Sequence, residues 1–459
     1  MTQNLITLLH KYDVAGPRYT SYPTAPAWLE SVGERDFRRR LASLNPGEKL
    51  SLYVHIPFCE NLCHFCGCMK VITKKHEQSE EYMKFLLQEI DRIAALVPQG
   101  CIVNQMHFGG GSPNFLKPEE LFKIVDKIHE KFEFEFGAEM AIEMHPRTST
   151  PEFCEKVAQL GFNRISLGVQ DLDPKVQKLI NRHQTYEMTQ EMVDLLKKLG
   201  LISFNFDLIY GLPGQTMEGW TQTLAQIIAM KPNRLAVYSY AHVPWLKPYQ
   251  RSFEDKDLPI PELKLRLFEK AYQILTEAGY QPVGMDHFAL PDDELALALE
   301  NGSLHRNFMG YSTRKEAHQI GFGVSAISYV GDAYFQNRKE LPEYYEAIQE
   351  ENGLATFRGF ILANDDKIRR DLITKIMCLG KVHIQSFDKE WGISFRKYFE
   401  NELENLIPMI EDELLRIDGH DFKIIGLGFL FLRNVAMMFD RYLEDIKNNA
   451  SNPVFSKTV

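Results

Sequence analysis

No stretch of this chain is apolar for long enough to cross a bilayer as a helix, and no run of lysine and arginine is long enough to mark a nucleic-acid tail. The N-terminus, MTQNLITLLHKYD, lacks the basic-then-apolar pattern of an export signal. A formal charge of −10 over 459 residues argues against a general nucleic-acid binder, although net charge says little about one cleft. A cytoplasmic protein with no membrane span and no nucleic-acid partner is therefore expected. Cysteine is scarce, seven residues in all, yet four of the seven (Cys59, Cys63, Cys66 and Cys68) stand within ten residues. In a chain without an export signal, thiols clustered in this way point to metal binding or redox chemistry rather than to a disulfide framework. With 44% hydrophobic and 25% charged residues the composition is globular, which excludes disorder and fibrous repeats.

The cysteines follow an apolar run at 52–56 that reads as a buried strand ending at Pro57. From there the pattern is strand, loop, helix, repeated. Further strands are expected over 104–108, 140–144, 164–169, 203–209 and 235–240, with helices over 79–96 (Ser79 as its cap), 117–132, from 150, between 174 and 199, and over 217–230. Six strand–helix units predict an α/β fold with a parallel sheet covered by helices, an incomplete (β/α)6 TIM-like barrel rather than a closed one of eight. Parallel strands share one C-terminal edge. The cysteines, residues 109–112, Glu143, Gln170, Asp207 and His242 would converge there.

Around this core, residues 1–49 read as a leader with helices near 5–12 and 35–44 and an irregular piece at 16–23. Its Arg18, Tyr19 and Tyr22 either reach into a site or pack as a surface strap. Residues 244–261 are irregular, 262–345 mixed, and those beyond 364 helical to 443, with 449–459 frayed.

Three thiolates spaced Cys59-x3-Cys63-x2-Cys66 suit one metal centre. Zinc would need a fourth ligand from His64, His55 or Cys68, and no second Cys or Cys/His pair lies downstream. A thioredoxin-like pair needs fewer cysteines. Spacing alone favours an iron–sulfur cluster over zinc. Residues 109–111 are all glycine and let a ligand approach the backbone, but the stretch is neither a GxGxxG nor a Walker pattern. As lone residues, Glu143, Gln170, Arg182 and Asp207 are more often surface charges or ion-pair members; their shared place at strand ends favours a site for Glu143, Gln170 and Asp207.

With Phe65 before the third cysteine, this motif resembles the signature of the radical S-adenosylmethionine (SAM) enzymes. HIPFC, CxFCGC, GGGSP, IEMHPR, GVQD, LINR, FDLIYGLP, YSYAH, GMDHFA, HRNFMGY and GPRYTSYPTA together resemble the family of oxygen-independent coproporphyrinogen III oxidases, from Gly16 to the C-terminal helices. The resemblance implies a [4Fe–4S] cluster on Cys59, Cys63 and Cys66, whose fourth iron binds SAM, with Cys68 outside the ligand set. It implies that Tyr53, Gly110, Glu143 and Ile327 contact that SAM. Phe65, Gly111, Ser112, Gln170, Arg182, Asp207 and Ala241 would line a second, adjacent SAM position. Coproporphyrinogen III is the implied substrate, with Tyr53, Glu143 and Arg18 expected at the reacting groups and Arg18, Tyr19, Tyr22 and Arg306 holding propionates or closing the site. An electron donor and an acceptor of unknown identity and a monomeric state are also expected. The implied domains are a leader (1–49), a radical SAM core (50–262), a barrel extension (263–363) and a small, mainly helical C-terminal domain (364–459).

Two residues depart from the family pattern: Ser112 stands where Thr is expected, and His145 where Asp is expected. The second leaves open a haem-modifying radical SAM enzyme. A haem chaperone sharing the cluster motif is the other alternative, opposed by Cys68 and the leader.

Overall fold

The computed structural model describes residues 3–315, 317–450 and 453–458. They fall into two compact units. The larger comprises Leu29–Ala236 and Glu316–Ile361; the smaller comprises Met1–Trp28, Val237–Lys315 and Leu362–Val459.

The sheet of the larger unit is built on β1 (Lys49–Ile56), β2 (Ile102–Gly110), β3 (Glu133–Met144), β4 (Arg164–Gln170), β5 (Phe204–Tyr210) and β6 (Arg234–Ser239), whose last residues enter the smaller unit. β1 to β5 are neighbours in that order and pair in parallel, with β6 next to β5. Leu50, Leu52, Val54 and Ile56 on β1 are fully buried, and each such side chain contributes roughly 1.5–3 kcal/mol. The connecting helices begin where the sequence places caps. Thr150 accepts from Phe153 N–H at the start of Pro151–Gln159, and Thr216 from Gly219 N–H at the start of Met217–Met230.

Ser79 is a correction. The helix runs Glu77–Ala94, so Ser79 lies inside its first turn, fully buried, and its hydroxyl donates to His76 O at 2.8 Å. A second difference is larger. The mixed region and the stretch just after it contain six more strands of the same sheet: Gln281–Val283 and His287–Ala289 beyond β6, then β7 (His318–Phe322), β8 (Ile327–Val330), β9 (Ala333–Asn337) and β10 (Thr356–Ile361). β7 pairs in parallel with β1 on the side away from β2, and β8, β9 and β10 follow antiparallel. β7, β8 and β9 join through turns and only β9 and β10 through a helix, Leu341–Gln349, so the regular strand–helix rhythm is absent.

One buried carboxylate ties β7 to its covering helix. Glu89, with no exposed surface, accepts from Gly323 N–H at 2.6 Å, Tyr344 OH at 2.9 Å and Asn337 Nδ2 at 2.7 Å. Burial pushes its carboxyl up to about 7, against those donors. Beside it, Tyr82 OH donates to His55 O at 2.7 Å and accepts from Val324 N–H at 3.1 Å. The end of β1 and the turn after β7 thus hang on one helix.

In the smaller unit, helix Gln3–Tyr12 packs Leu8 and Leu9 into one core with Ile368, Leu372, Ile373 and Ile376 of helix Asn364–Leu379. The C-terminal segment is not helical throughout. Lys381–His383, Asp421–Ile424 and Leu415–Ile417 form a three-stranded antiparallel sheet, too short to show a period of two. Of the tail expected to fray, residues 451, 452 and 459 lie outside the described residues. Thr458 is buried, and its N–H donates to Val14 O at 2.8 Å.

Glu89→Ala strands three buried donors, and urea denaturation should show a loss of about 3 kcal/mol or more.

Candidate active site

The register across β8, β7, β1 and β2 brings distant residues to one row. Gln319 of β7 faces Tyr329 of β8, which sets Gly321 beside Ile327; Gly321 faces Tyr53 of β1, and Tyr53 faces His107 of β2. A Cβ on Gly321 would stand 2.6 Å from Ile327 O, so only glycine lets Ile327 lie this close. Ile327 is thereby placed in line with Tyr53.

Two histidines that sequence reading did not assign to this site organise the row. The Tyr53 ring stacks on His107, with centroids 5.9 Å apart, and His107 Nε2 lies 3.2 Å from Glu143 Oε1. Tyr53 OH donates to His55 Nδ1 at 3.0 Å. His55 Nε2, which then carries the proton, donates to Met69 O at 3.3 Å. Burial takes the imidazole down to about 4, so it stays neutral. Both ring nitrogens of His55 are engaged, which removes it as a zinc ligand. Its signal was positional: on a strand of period two, His55 and His107 share the face of Tyr53 and Gly109. A Cβ on Gly110, whose φ is +117°, would meet the His55 ring at 2.7 Å, and one on Gly109 would meet Glu143 Oε1 at 2.9 Å. The glycine run therefore makes room for an imidazole and a carboxylate.

The cysteine loop is held from two sides. Phe58–Cys59 pairs in parallel with Val71–Ile72, and Gly111 N–H and Ser112 N–H donate to Ile56 O and Phe58 O at 2.8 and 2.9 Å. On the other side His64 N–H donates to Ile180 O at 3.0 Å, Asn181 Nδ2 to Leu62 O at 2.8 Å, and Arg182 Nη1 lies 3.8 Å from Cys63 Sγ. Cys59, Cys63 and Cys66 are free thiols, half-buried, with Phe65 between the last two. Burial and then the negative charge of Cys66 and Cys63 push the Cys59 thiol up to about 12. The three sulfurs therefore stand close enough to repel one another once ionised, and a cationic iron centre offsets that repulsion. Cys66 is pulled down by the hydrogen bond from Cys68 and by the Lys70 ammonium. Cys68 holds its proton and is the donor to Cys66. Among the described residues, no three His, Cys, Asp or Glu side chains form a ready single-ion site. The donor set, three soft thiolates on one loop beside a guanidinium, suits an iron–sulfur cluster.

The remaining expected residues of this unit line the same edge. Asp207 accepts from Asn205 Nδ2 at 2.9 Å. Burial, and next the Glu143 charge, push its carboxyl up to about 7. Arg182 is buried, its Nε donating to Gln184 Oε1 at 3.2 Å and its Nη2 to Gly168 O. Gln170 is buried with φ +64°, and its Oε1 has no partner among the described residues. Ser112 Oγ donates to Asn114 Oδ1 at 2.7 Å, an inward bond that any hydroxyl at this position can make.

His145 caps the turn Pro146–Thr148, its Nδ1 accepting from Arg147 N–H at 3.2 Å. An Asp there would accept the same N–H. Burial, then Arg182 and Arg147, hold the ring well below the ordinary histidine pKa, so it is neutral rather than cationic. The departure from Asp thus keeps a local capping role.

In the smaller unit, Arg18 donates to Ser239 O at 3.1 Å and to Asp286 Oδ2 at 3.5 Å, and Arg306 is buried 3.9 Å from Asp286 Oδ1. Ala241 follows β6, its O accepting from Gln250 Nε2 at 3.2 Å. Tyr19 and Tyr22 are packed as a strap rather than reaching outward. Both are buried, with Tyr19 OH donating to Asp440 at 3.0 Å and Tyr22 OH accepting from Arg441 N–H at 3.3 Å.

A model of the Radical SAM superfamily matches residues 53–227, the span from β1 through the helix after β5. This chain is a member of that superfamily. It is 42% identical over 454 residues to the oxygen-independent coproporphyrinogen III oxidase of Escherichia coli K12, covering 99% of this chain and 98% of the relative. The enzyme of that name from Pseudomonas aeruginosa PAO1 is 42% identical over 96% of both chains. The solved structure of coproporphyrinogen III oxidase (HemN) from E. coli, described as a radical SAM enzyme, superposes with a TM-score of 0.90 at 41% identity, covering 95% of this chain and 98% of that one. Within the superfamily, the chain belongs to the oxygen-independent coproporphyrinogen III oxidases. A [4Fe–4S] cluster and SAM are the cofactors of this class.

The half-ionised state of Asp207 near neutrality gives a pH dependence. With Asp207 in its expected place beside the cationic sulfonium of SAM, SAM affinity should rise up to about tenfold from roughly pH 6 to pH 8 as the carboxyl ionises. Asp207→Asn should flatten that rise in equilibrium dialysis.

Proposed function

We propose that this protein carries out the anaerobic oxidative decarboxylation of coproporphyrinogen III, converting two propionate side chains to vinyl groups and giving protoporphyrinogen IX. The observation that carries this reading is the near-complete likeness to coproporphyrinogen III oxidases together with three thiols and a SAM-shaped set of polar groups on one strand edge. When bound, the cluster and SAM supply a 5′-deoxyadenosyl radical, which takes a hydrogen from a propionate β-carbon, so that loss of CO2 and one electron leaves a vinyl group.

The chain's own residues bind and orient. Cys59, Cys63 and Cys66 would hold the cluster, with Arg182 lowering the cost of negative charge at Cys63. Glu143, steadied by His107, offers a carboxylate to the ammonium of SAM, while Tyr53 and Ile327 supply the flat and apolar contacts beside it. Gly110 keeps the backbone open to the ligand. Phe65, Gly111, Ser112, Gln170, Arg182, Asp207 and Ala241 are proposed for a second SAM position. Arg18 and Arg306 are proposed for the propionates, as fixed cations in a mostly apolar setting. The leader, 1–49, and the C-terminal segment, 364–459, are proposed as the parts that cover the substrate. An external one-electron donor and an acceptor are required by the electron balance. No described helix is long and apolar enough to cross a membrane, and a cytoplasmic monomer is proposed.

The test is anaerobic. Reconstituted protein is given SAM, a reductant, coproporphyrinogen III and a cell extract as acceptor, and the tetrapyrroles are resolved by mass. The mono- and then the di-decarboxylated product should appear, and Cys59→Ala should abolish both. Formation of 5′-deoxyadenosine with an unchanged tetrapyrrole would refute the substrate, and stoichiometric retention of haem without decarboxylation would favour the chaperone.

A further inference from the structure

We infer that Asp171 is a positioning residue: its buried carboxylate holds Gln170 in a strained turn and fixes, through Gln215, the chain after Asp207, while its backbone carbonyl anchors, through Gln177 and Gln184, the loop that carries Arg182. This rests on the reading of Gln170, Arg182 and Asp207 as SAM-binding groups.

The strain is visible in the backbone. Gln170 has φ +64°, and Asp171 N–H donates to Val169 O at 2.9 Å across it. That is a γ-turn of the positive-φ hand, which is rare and costly for a residue with a side chain. Val169 is also a bulge, because Gly168 faces Asp207 while Gln170 faces Leu208. The turn brings the Gln170 amide back over Gly168, where a Cβ would stand 2.9 Å from Gln170 Nε2 and 3.0 Å from Arg182 Nη2. Gln170 Oε1 is left buried and without a partner, an acceptor aimed at something the protein itself does not supply.

Such a turn persists only where its surroundings over-determine it, and Asp171 is what does so. It has no exposed surface. Its Oδ1 accepts from Asp173 N–H at 2.8 Å and Thr223 Oγ1 at 2.7 Å, and its Oδ2 from Gln215 Nε2 at 2.6 Å. Gln215 in turn donates to Ile209 O and accepts from Leu212 N–H, both at 2.9 Å, which pins the chain just after Asp207. On the other side Asp171 O accepts from Gln177 Nε2 at 2.9 Å. Gln177 Oε1 accepts from Gln184 N–H at 3.0 Å, and Gln184 Oε1 accepts from Arg182 Nε at 3.2 Å. One residue, through its carboxylate and its backbone carbonyl together, therefore sets the mutual placement of three groups on three separate segments. Asp171 faces no substrate itself; it acts through its neighbours.

The geometry singles out Asp171→Asn. The new amide would set N–H against the Gln215 Nε2 donor, and Gln215 cannot flip without breaking both its backbone bonds. SAM affinity of the cluster-loaded protein, read by equilibrium dialysis, should fall about tenfold. Iron content per chain should fall much less than SAM affinity, since the cysteine loop is also held by its pairing with Val71–Ile72 and by the Gly111 and Ser112 N–H groups. In a Gln170→Gly background, where glycine takes the left-handed turn freely and lacks the amide, the further loss from Asp171→Asn should be about threefold or less. Melting of the protein as purified should show the same sub-additivity. If Asp171→Asn fails to fold, Thr223→Val removes one donor to the same carboxylate and should lower SAM affinity in the same sense, more weakly. Additive losses, unchanged SAM affinity, or iron lost in step with SAM would each overturn the role of Asp171. Wild-type protein that binds no SAM would overturn this role and the reading of the site together.

Discussion

The parallel pairing of β1 with β2 on one side and β7 on the other is the constraint from which the site follows. It sets Tyr53 opposite both His107 and Gly321, and Ile56 opposite Gly110, immediately before the cysteine loop. A one-residue slip would turn every side chain of β1 to the other face and send Tyr53 and His55 into the helices. The register is fixed by burial: Leu52, Val54 and Ile56 can be dry only in this phase. The same pairing makes three glycines necessary for steric rather than flexible reasons, since an imidazole, a carboxylate and a neighbouring strand occupy the space their side chains would take.

Charge at the site is arranged against the balance of the chain. The protein is acidic overall, with a formal charge of −10, yet its cysteine loop lies between the Arg182 guanidinium and the Lys70 ammonium. The Cys66 thiolate is favoured there, while burial disfavours that of Cys59. Burial, and next the Glu143 charge, hold Asp207 near half-ionisation. A cation bound beside these two carboxylates would relieve their repulsion, which is the electrostatic reason for proposing them as SAM-binding groups.

Much of this is legible in the order of residues alone. The six strands end in Pro, Gly or polar residues that interrupt apolar runs, and the helix expected over 217–230 is the helix Met217–Met230. The cysteines, Glu143, Gln170 and Asp207 are singled out by residue type and place, whereas Arg182 enters only through the family resemblance. What the sequence conceals is partnership. His55 and His107 look like ordinary strand residues until register puts them against Tyr53 and Glu143. Asp171 looks like a loop acid until its carboxylate is found at the centre of three loops. The strands at 318–361 and 381–424 escape because runs of three to six residues carry no period long enough to read. Tyr19 and Tyr22 mislead in the other direction, being polar-tipped aromatics whose rings belong to a core.

His145 shows how far a departure from a family pattern can mislead when read as charge alone. Asp to His exchanges an anion for a base, and beside Glu143 that suggests a changed pocket. Geometry gives the residue a different job: it accepts Arg147 N–H and closes a turn, which either side chain can do. Because Arg182 and Arg147 both disfavour a proton on the ring, the site gains no positive charge from the exchange. It does lose a negative one, and that loss falls nearest to Arg182, which is left with Gln184, the Gly168 carbonyl and the Cys63 sulfur as its partners. An arginine with fewer carboxylates around it attracts thiolate more strongly. The substitution thus bears on the charge balance beside the cysteine loop.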